Sequence, residues 1–260
     1  MQPNTSPAGN GTEMHFNVLT FDSIDSTNTE ALKHARLGAA EGLCIVAREQ
    51  TAGRGRYGRD WVSAKDSGLY VSVVLRPNIE LRYFPLITLM TGIAVHDMLA
   101  EMGLNPDIKW VNDVHIDGKK ISGVLAETTE TSEGIAVVVG IGINLSSDNF
   151  PPYLSASSTS IAAETDVEFT RDDIIRSLSR FLDQFYLILT SDDGPAEIVR
   201  QWRRRSSYFS GKKVRAVLEK ETIFGVTEGL EENGALRMRQ ADGALIVIQA
   251  GDVEQIRPAD

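Results

Sequence analysis

Val114-His115-Ile116-Asp117-Gly118-Lys119-Lys120-Ile121-Ser122-Gly123 reads as an antiparallel turn, and that reading decides the fold. Asp-Gly suits the two left-handed positions of a type I′ turn, whose twist matches that of the strands it joins. Val114–Ile116 should therefore fold back onto Ile121–Thr128. The lysines and glycines resemble a phosphate loop only superficially: the glycine spacing is absent, and the segment enters a strand rather than a helix. A second turn at Thr131–Gly134 leads into a strand from Ile135 to Leu145. It contains Gly140-Ile141-Gly142-Ile143-Asn144, which lacks the Gly-x-Gly-x-x-Gly spacing and lies in an antiparallel pattern, so a Rossmann site is not expected. Glycines at alternate strand positions leave one sheet face bare, a surface on which a flat ring or chain could lie.

Outward from this meander the chain alternates helices and strands. Asp25-Ser26-Thr27-Asn28-Thr29-Glu30 opens a helix, with Thr27 and Glu30 at capping-box spacing; it should run to about Leu37 and stop at Gly38. Strands follow near 43–49 and 69–75. A helix from about Tyr83 to Met102 carries Leu86, Met90, Ile93 and Ala94 at helical spacing. Thr170-Arg171-Asp172-Asp173 caps an amphipathic helix with Ile174, Leu178, Phe181, Phe185 and Ile188 on one face. Another helix, near 195–205, ends in Arg203-Arg204-Arg205, which reads as a solvated end. Beyond Gly211, short strands with turns at Asn233-Gly234 and Asp242-Gly243 suggest a small all-β barrel. The expectation is an α+β chain: a tail over 1–14, a mixed-sheet domain over 15–208 and a β-barrel over 209–260.

Two segments carry candidate chemistry. Gly53-Arg54-Gly55-Arg56-Tyr57-Gly58-Arg59-Asp60-Trp61 combines glycines, which let a ligand approach the backbone, with arginines, whose planar forks suit phosphate and carboxylate oxygens. It reads as a ligand-closing loop, or as a solvated or nucleic-acid-binding patch. Lys109-Trp110-Val111-Asn112-Asp113 places a cation, an amide and a carboxylate together. If extended, Lys109, Val111 and Asp113 share a face, and an aspartate beside a lysine could serve a triphosphate and Mg²⁺. A surface strand with an ion pair is the plainer reading.

The 260 residues carry a net charge of −10, with 42% hydrophobic and 24% charged residues. That balance argues against a general nucleic-acid binder. No apolar run is expected to span a bilayer. The single cysteine, Cys44, reads as a packed thiol in a reducing, cytoplasmic setting. The four histidines have no metal-ligand spacing, and none accompanies a serine-nucleophile signature.

Taken in order, these segments resemble the biotin–protein ligases: Asp25-Ser26-Thr27-Asn28, Gln50 with Gly53–Trp61, Lys109-Trp110-x-Asn112-Asp113, Lys120-Ile121-Ser122-Gly123 and Gly140–Asn144. The resemblance covers roughly residues 16–258. It implies a central mixed β-sheet with flanking helices, related to class II aminoacyl-tRNA synthetases, plus a C-terminal SH3-like barrel. It also implies ATP-dependent activation of biotin to biotinyl-5′-AMP, then transfer to a lysine of a biotin carboxyl carrier domain of a carboxylase, with ATP and Mg²⁺ required. By position, Ser26, Thr27, Asn28 and Gln50 would bind the polar ends of biotin. Gly123, Gly140 and Gly142 would form its floor, and Gly53, Arg54, Gly55, Arg56 and Trp61 would close over it. Arg54, Arg56, Arg59, Trp61, Lys109, Asn112, Asp113, Lys120 and Asn144 would serve ATP or the adenylate, with Asp113 as the magnesium ligand. Lys120, Arg56 and Lys109 are the implied catalytic cations. Val111 stands where the family usually carries proline. An N-terminal DNA-binding domain is not expected, nor is a nucleic-acid or membrane partner; a homodimer fits many relatives. The nearest alternative is a lipoate or octanoate–protein ligase, and a non-catalytic sensor on the same fold is a further one.

Overall fold

A computed structural model describes residues 14–218, 221–249 and 251–255. The expected tail therefore lies, Met14 excepted, outside the described residues. A seven-stranded sheet forms the larger unit, in the order β1-β2-β3-β7-β6-β5-β4. Its strands are β1 (Asn17–Phe21), β2 (Leu43–Ala47), β3 (Gly68–Leu75), β4 (Asp107–Lys109), β5 (Asp113–Ile116), β6 (Lys119–Thr131) and β7 (Gly134–Asn144). The β1–β2 pair is parallel and every other neighbouring pair is antiparallel, so the sheet is mixed.

The Asp117-Gly118 turn joins β5 to β6 as its sequence demands: both residues have positive φ, at 49° and 77°, the type I′ signature. The Lys109–Asp113 segment differs from expectation. It is not one extended strand but a hairpin, with Lys109 opposite Asp113 across the β4–β5 ladder and Trp110, Val111 and Asn112 in the turn. Short strands on both sides of three residues fold back rather than continue, because Ile108 and Val114 pair and bury together.

One sheet face packs on α2 (Pro85–Glu101), behind which lie α4 (Arg171–Leu189) and α5 (Gly194–Arg203). By length and composition the segment Leu81–Glu101 could cross a bilayer, which the sequence reading missed. Its apolarity is instead used in the core, where Leu86, Met90, Ile93 and Met98 are fully buried. The capping box of α4 forms as expected, Thr170 with Asp173. The short helix α3 (Ile161–Glu164) had no clear sequence signal. The opposite sheet face packs on α1 (Thr27–Arg36) through Ala31, Leu32, Ile45, Val74, Ala136 and Val138.

Two details of the helices correct the sequence reading. Thr27 does not cap α1; Ser26 is the N-cap residue and makes no side-chain cap bond, while Glu30 pairs with Lys33 and His34. Nor is the arginine run at the end of α5 wholly solvated. Arg205 turns inward and grips Asp97 of α2 with Nε and Nη2, at 2.5 and 2.7 Å.

The C-terminal unit is a five-stranded antiparallel sheet, SH3-like, in the order β11-β10-β9-β8-β12. Its strands are β8 (Ser210–Val217), β9 (Thr222–Leu230), β10 (Leu236–Arg239), β11 (Leu245–Ile248) and β12 (Asp252–Gln255). It joins the larger unit through Trp110, whose buried indole donates to the Gly234 carbonyl at 2.9 Å.

Candidate active site

The pocket forms where the start of α1, the 53–61 loop and the ends of β6 and β7 meet. Its closed end is lined by neutral side chains held in a hydrogen-bond network. Thr27 donates its backbone N–H to Gln50 Oε1 at 2.8 Å, and Gln50 Nε2 donates to Ser63 Oγ at 2.9 Å. Ser63 in turn donates to the Trp61 carbonyl at 3.0 Å, which ties this end of the pocket to the loop. Ser72, fully buried on β3, lies 2.7 Å from Thr27 Oγ1 and 2.6 Å from Asn28 Oδ1. The Asn28 amide nitrogen donates to Glu127 at 2.7 Å and to the Leu125 carbonyl at 3.2 Å. Every polar atom of Asn28 is thereby committed, and its orientation is fixed.

The glycines of β6 and β7 are required, but not as a bare floor. A Cβ on Gly140 would lie 2.2 Å from Asn28 Oδ1, and one on Gly142 would lie 2.4 Å from the Trp61 ring. The sheet face is thus covered by Asn28 and by the Trp61 indole, whose Nε1 is buried without a hydrogen-bond partner among the described residues. The remaining cavity is about 120 Å³, whereas small-molecule sites usually span roughly 300–1,000 Å³. A ligand of that usual size requires the loop and its indole to shift.

The open end of the pocket is cationic. The loop is a small hairpin, with Arg54 bridged to Asp60, Gly55 N–H donating to the Arg59 carbonyl at 2.7 Å and Trp61 N–H to the Gly53 carbonyl at 2.9 Å. Tyr57 and Gly58 take positive φ at its tip. Arg54 reaches Thr29 at 2.7 Å and Glu127 at 3.1 Å. Arg56 donates to the Gly251 carbonyl at 3.1 Å and lies 3.6 Å from Asp252, with which Arg59 also pairs. Burial lowers the Arg56 guanidinium from its ordinary value, yet an arginine starts so high that it stays charged.

Asp113 and Lys120 face each other across β5 and β6 at 2.7 Å. Burial alone would raise the Asp113 carboxyl. Lys120, His115 and Lys109 outweigh it and hold the group well below the usual carboxylate range. Lys120 also lies 5.1 Å from the centre of the Trp61 ring, so the indole bridges the floor and the cation. Asn112 is pinned by exchange with Val124, its side chain donating to that carbonyl at 3.0 Å and its own carbonyl accepting at 2.8 Å. Val111 in the preceding turn leaves this anchor in place.

The sequence matches the biotin/lipoate A/B protein ligase family over residues 20–144 and the biotin protein ligase C-terminal domain over residues 209–254. The bifunctional ligase/repressor BirA of Bacillus spizizenii is 33% identical over 93% of this chain and 74% of its own length. The biotin–[acetyl-CoA-carboxylase] ligase of Paracoccus denitrificans is 32% identical, with 86% and 94% covered. The chain belongs to the biotin protein ligase family. Among solved structures, the Aquifex aeolicus biotin protein ligase in complex with biotin and ATP superposes with a TM-score of 0.80 at 27% identity, covering 93% of this chain and 99% of that one.

In this biotin protein ligase the pocket gathers most of the residues singled out from sequence. Ser26, Thr27, Asn28, Gln50, Arg54, Gly55, Arg56, Arg59, Trp61, Asn112, Asp113, Lys120, Gly123, Gly140 and Gly142 line it. Gly53, Lys109 and Asn144 do not. Gly53 sits behind the wall, where a Cβ would meet Ser63 Oγ at 2.5 Å. Lys109 acts on Asp113 through its charge. Asn144 donates to the Lys120 and Thr159 carbonyls at 3.3 and 2.9 Å, stitching β6 to the 157–159 segment. Ser72, Glu127 and Asp252 went unnoticed in the sequence. A strand serine, a strand glutamate and an aspartate near the C-terminus carry no local signal, and only the fold brings them here.

Proposed function

We propose that this pocket binds biotin at its neutral end and activates it with ATP at its cationic end. Biotinyl-5′-AMP and pyrophosphate are then the products of the first step, and a carrier-domain lysine takes the acyl group in the second. The observation that carries the reading is the polarity of the cavity. Committed amides and hydroxyls of Thr27, Asn28 and Gln50 stand at one end, suited to a ureido ring. Arg54, Arg56, Arg59 and Lys120 surround the other, suited to a carboxylate meeting a phosphate.

The residues divide the work as follows. Thr27, Asn28 and Gln50 orient the ring, and Ser26 opens the helix beside it. Trp61 packs against the ligand as the loop closes. Arg56 and Lys120 stand where the biotin carboxylate attacks the α-phosphate and stabilise the charge that develops there, while Arg54 and Arg59 screen the remaining phosphate oxygens. No nucleophile of the protein is needed, because holding both reactants in register supplies much of the acceleration.

Magnesium belongs to the same proposal. It usually takes one or two carboxylates together with substrate phosphate oxygens. Among the described residues no group of three His, Cys, Asp or Glu forms a protein-only cage. Asp113, ionised and beside the cationic end, fits the shared kind of site. The reading extends to a biotin carboxyl carrier acceptor, a homodimer and a cytoplasmic setting. Cys44 supports the last: it is a buried free thiol, pushed up to about 12 by burial.

Biotin-dependent exchange of pyrophosphate into ATP tests the first step. The wild type should exchange, and Lys120→Ala should lose about 100- to 1,000-fold in rate, as for loss of one charge-stabilising donor. A wild type without exchange, or a variant at full rate, rejects the assignment.

A further inference from the structure

Around the edge of β6 lies a second cavity, of about 270 Å³. Arg56, Val124 and Leu125 line both it and the polar pocket, so the two spaces are separated by little more than one guanidinium and one strand edge. The remaining wall mixes apolar Pro85 from the first turn of α2, Val111 from the β4–β5 turn and Ala126 from β6 with the neutral polar side chains of Thr88 and Gln249 and the phenol of Tyr57. Arg56 stacks on Tyr57 at 4.9 Å, forming the roof.

We propose that this cavity is the port through which the acceptor lysine reaches the activated acyl group. The proposal rests on the ligase reading above. A lysine stem lies readily along apolar surface while its nitrogen reaches a polar one. The port offers that sequence of environments, apolar at Pro85, Val111 and Ala126 and then polar at Arg56. Its volume of about 270 Å³ has room for a single long side chain.

The same walls prepare the nucleophile. An ammonium cannot attack, so the lysine must enter neutral. The ionisable groups at the port are Arg56 and Tyr57, both from the loop. The walls from α2, the β4–β5 turn, β6 and the C-terminal unit carry no ionisable lining residue. On the pocket side the charged lining residues are Arg54, Arg59, Asp60, Asp113, Lys120 and Asp252. Apolar surroundings and an adjacent guanidinium both disfavour the ammonium form. The nitrogen lone pair then attacks the acyl carbon and forms the amide bond. The bond from that carbon to the phosphate oxygen breaks, its electron pair leaves with AMP, and the nitrogen releases its surplus proton to solvent.

Thr88 and Gln249 line the port from two elements and do not line the polar pocket. The test blocks the port with Thr88→Phe and, separately, Gln249→Trp. It reads pyrophosphate exchange, capture of the adenylate by hydroxylamine, and single-turnover transfer to an apo carrier domain. Exchange and hydroxylamine capture should stay within about two-fold of wild type while transfer falls by at least about ten-fold, since a misplaced reactant can cost 100-fold. Transfer at the wild-type rate in both variants overturns the port. So does a fall in exchange that matches the fall in transfer, because the wall would then serve the first step. Absence of exchange in the wild type is a different result and removes the ligase reading itself.

Discussion

Gly140 shows at the scale of one residue how the sheet serves the pocket. Sequence reasoning took the glycines of β7 as space for the ligand, but the space is already used. Asn28 lies against Gly140, and its amide is held by Ser72, Glu127 and the Leu125 carbonyl. A methyl group at Gly140 would come within 2.2 Å of Asn28 Oδ1, and a side chain bonded on three sides has nowhere to yield. Gly140→Ala should therefore raise the biotin KM in pyrophosphate exchange by about ten-fold or more. The strain should cost about 1–3 kcal/mol, as overpacking usually does. An alanine variant with the wild-type KM for biotin would show that Asn28 does not orient the ring.

The 53–61 loop and β12 act together at the scale of elements. The loop has little apolar surface to hold it, and glycine makes it costly to order. Asp252 at the start of β12 compensates by ion pairing with Arg56 and Arg59, while the neighbouring Gly251 carbonyl accepts a hydrogen bond from Arg56. Asp252→Asn keeps the shape and removes the charge, so the loop should open more often. Trypsin cleavage after Arg54, Arg56 or Arg59 in the ligand-free protein should accelerate by about three- to ten-fold, the equivalent of roughly 1 kcal/mol. An unchanged rate would mean the hairpin's own bonds suffice. Local signals made much of this architecture legible. Asp117-Gly118 announced its hairpin, Thr170 and Asp173 announced the capping box, and the arginines announced a cationic wall. The three-residue turn after Lys109 was hidden, because its pairing depends on Ile108 burying against Val114 rather than on any turn residue. Asp252 was hidden for a different reason: 192 residues of chain lie between Arg59 and its partner, a distance no local pattern reports.

Across the whole molecule, Trp110 makes one of the contacts that join the two units. It occupies the turn between Lys109 and Asp113, both tied to the pocket, yet its indole is buried and points away from the site, donating to the Gly234 carbonyl of the C-terminal unit. Gly234 is itself packed so closely on Leu86 and Leu89 of α2 that a Cβ there would approach Leu89 at 2.7 Å. The same β-turn thus receives a hydrogen bond from the β4–β5 hairpin and seats on the core helix. Within the larger unit Arg205 anchors the end of α5 to Asp97, while its carbonyl accepts from Ile108. Trp110→Phe keeps most of the apolar contact and deletes the donor, leaving the Gly234 carbonyl buried and unpaired at a cost of about 1–3 kcal/mol. At roughly 2–4 °C per kcal/mol for a chain of this size, Tm should fall by several degrees. If Trp110 couples the units, the variant should also split one calorimetric transition into two, with the C-terminal sheet melting first. A single transition, lowered but unsplit, would assign the coupling to the Leu86–Leu89–Gly234 contact instead, and Gly234→Ala would then be the variant that separates the units.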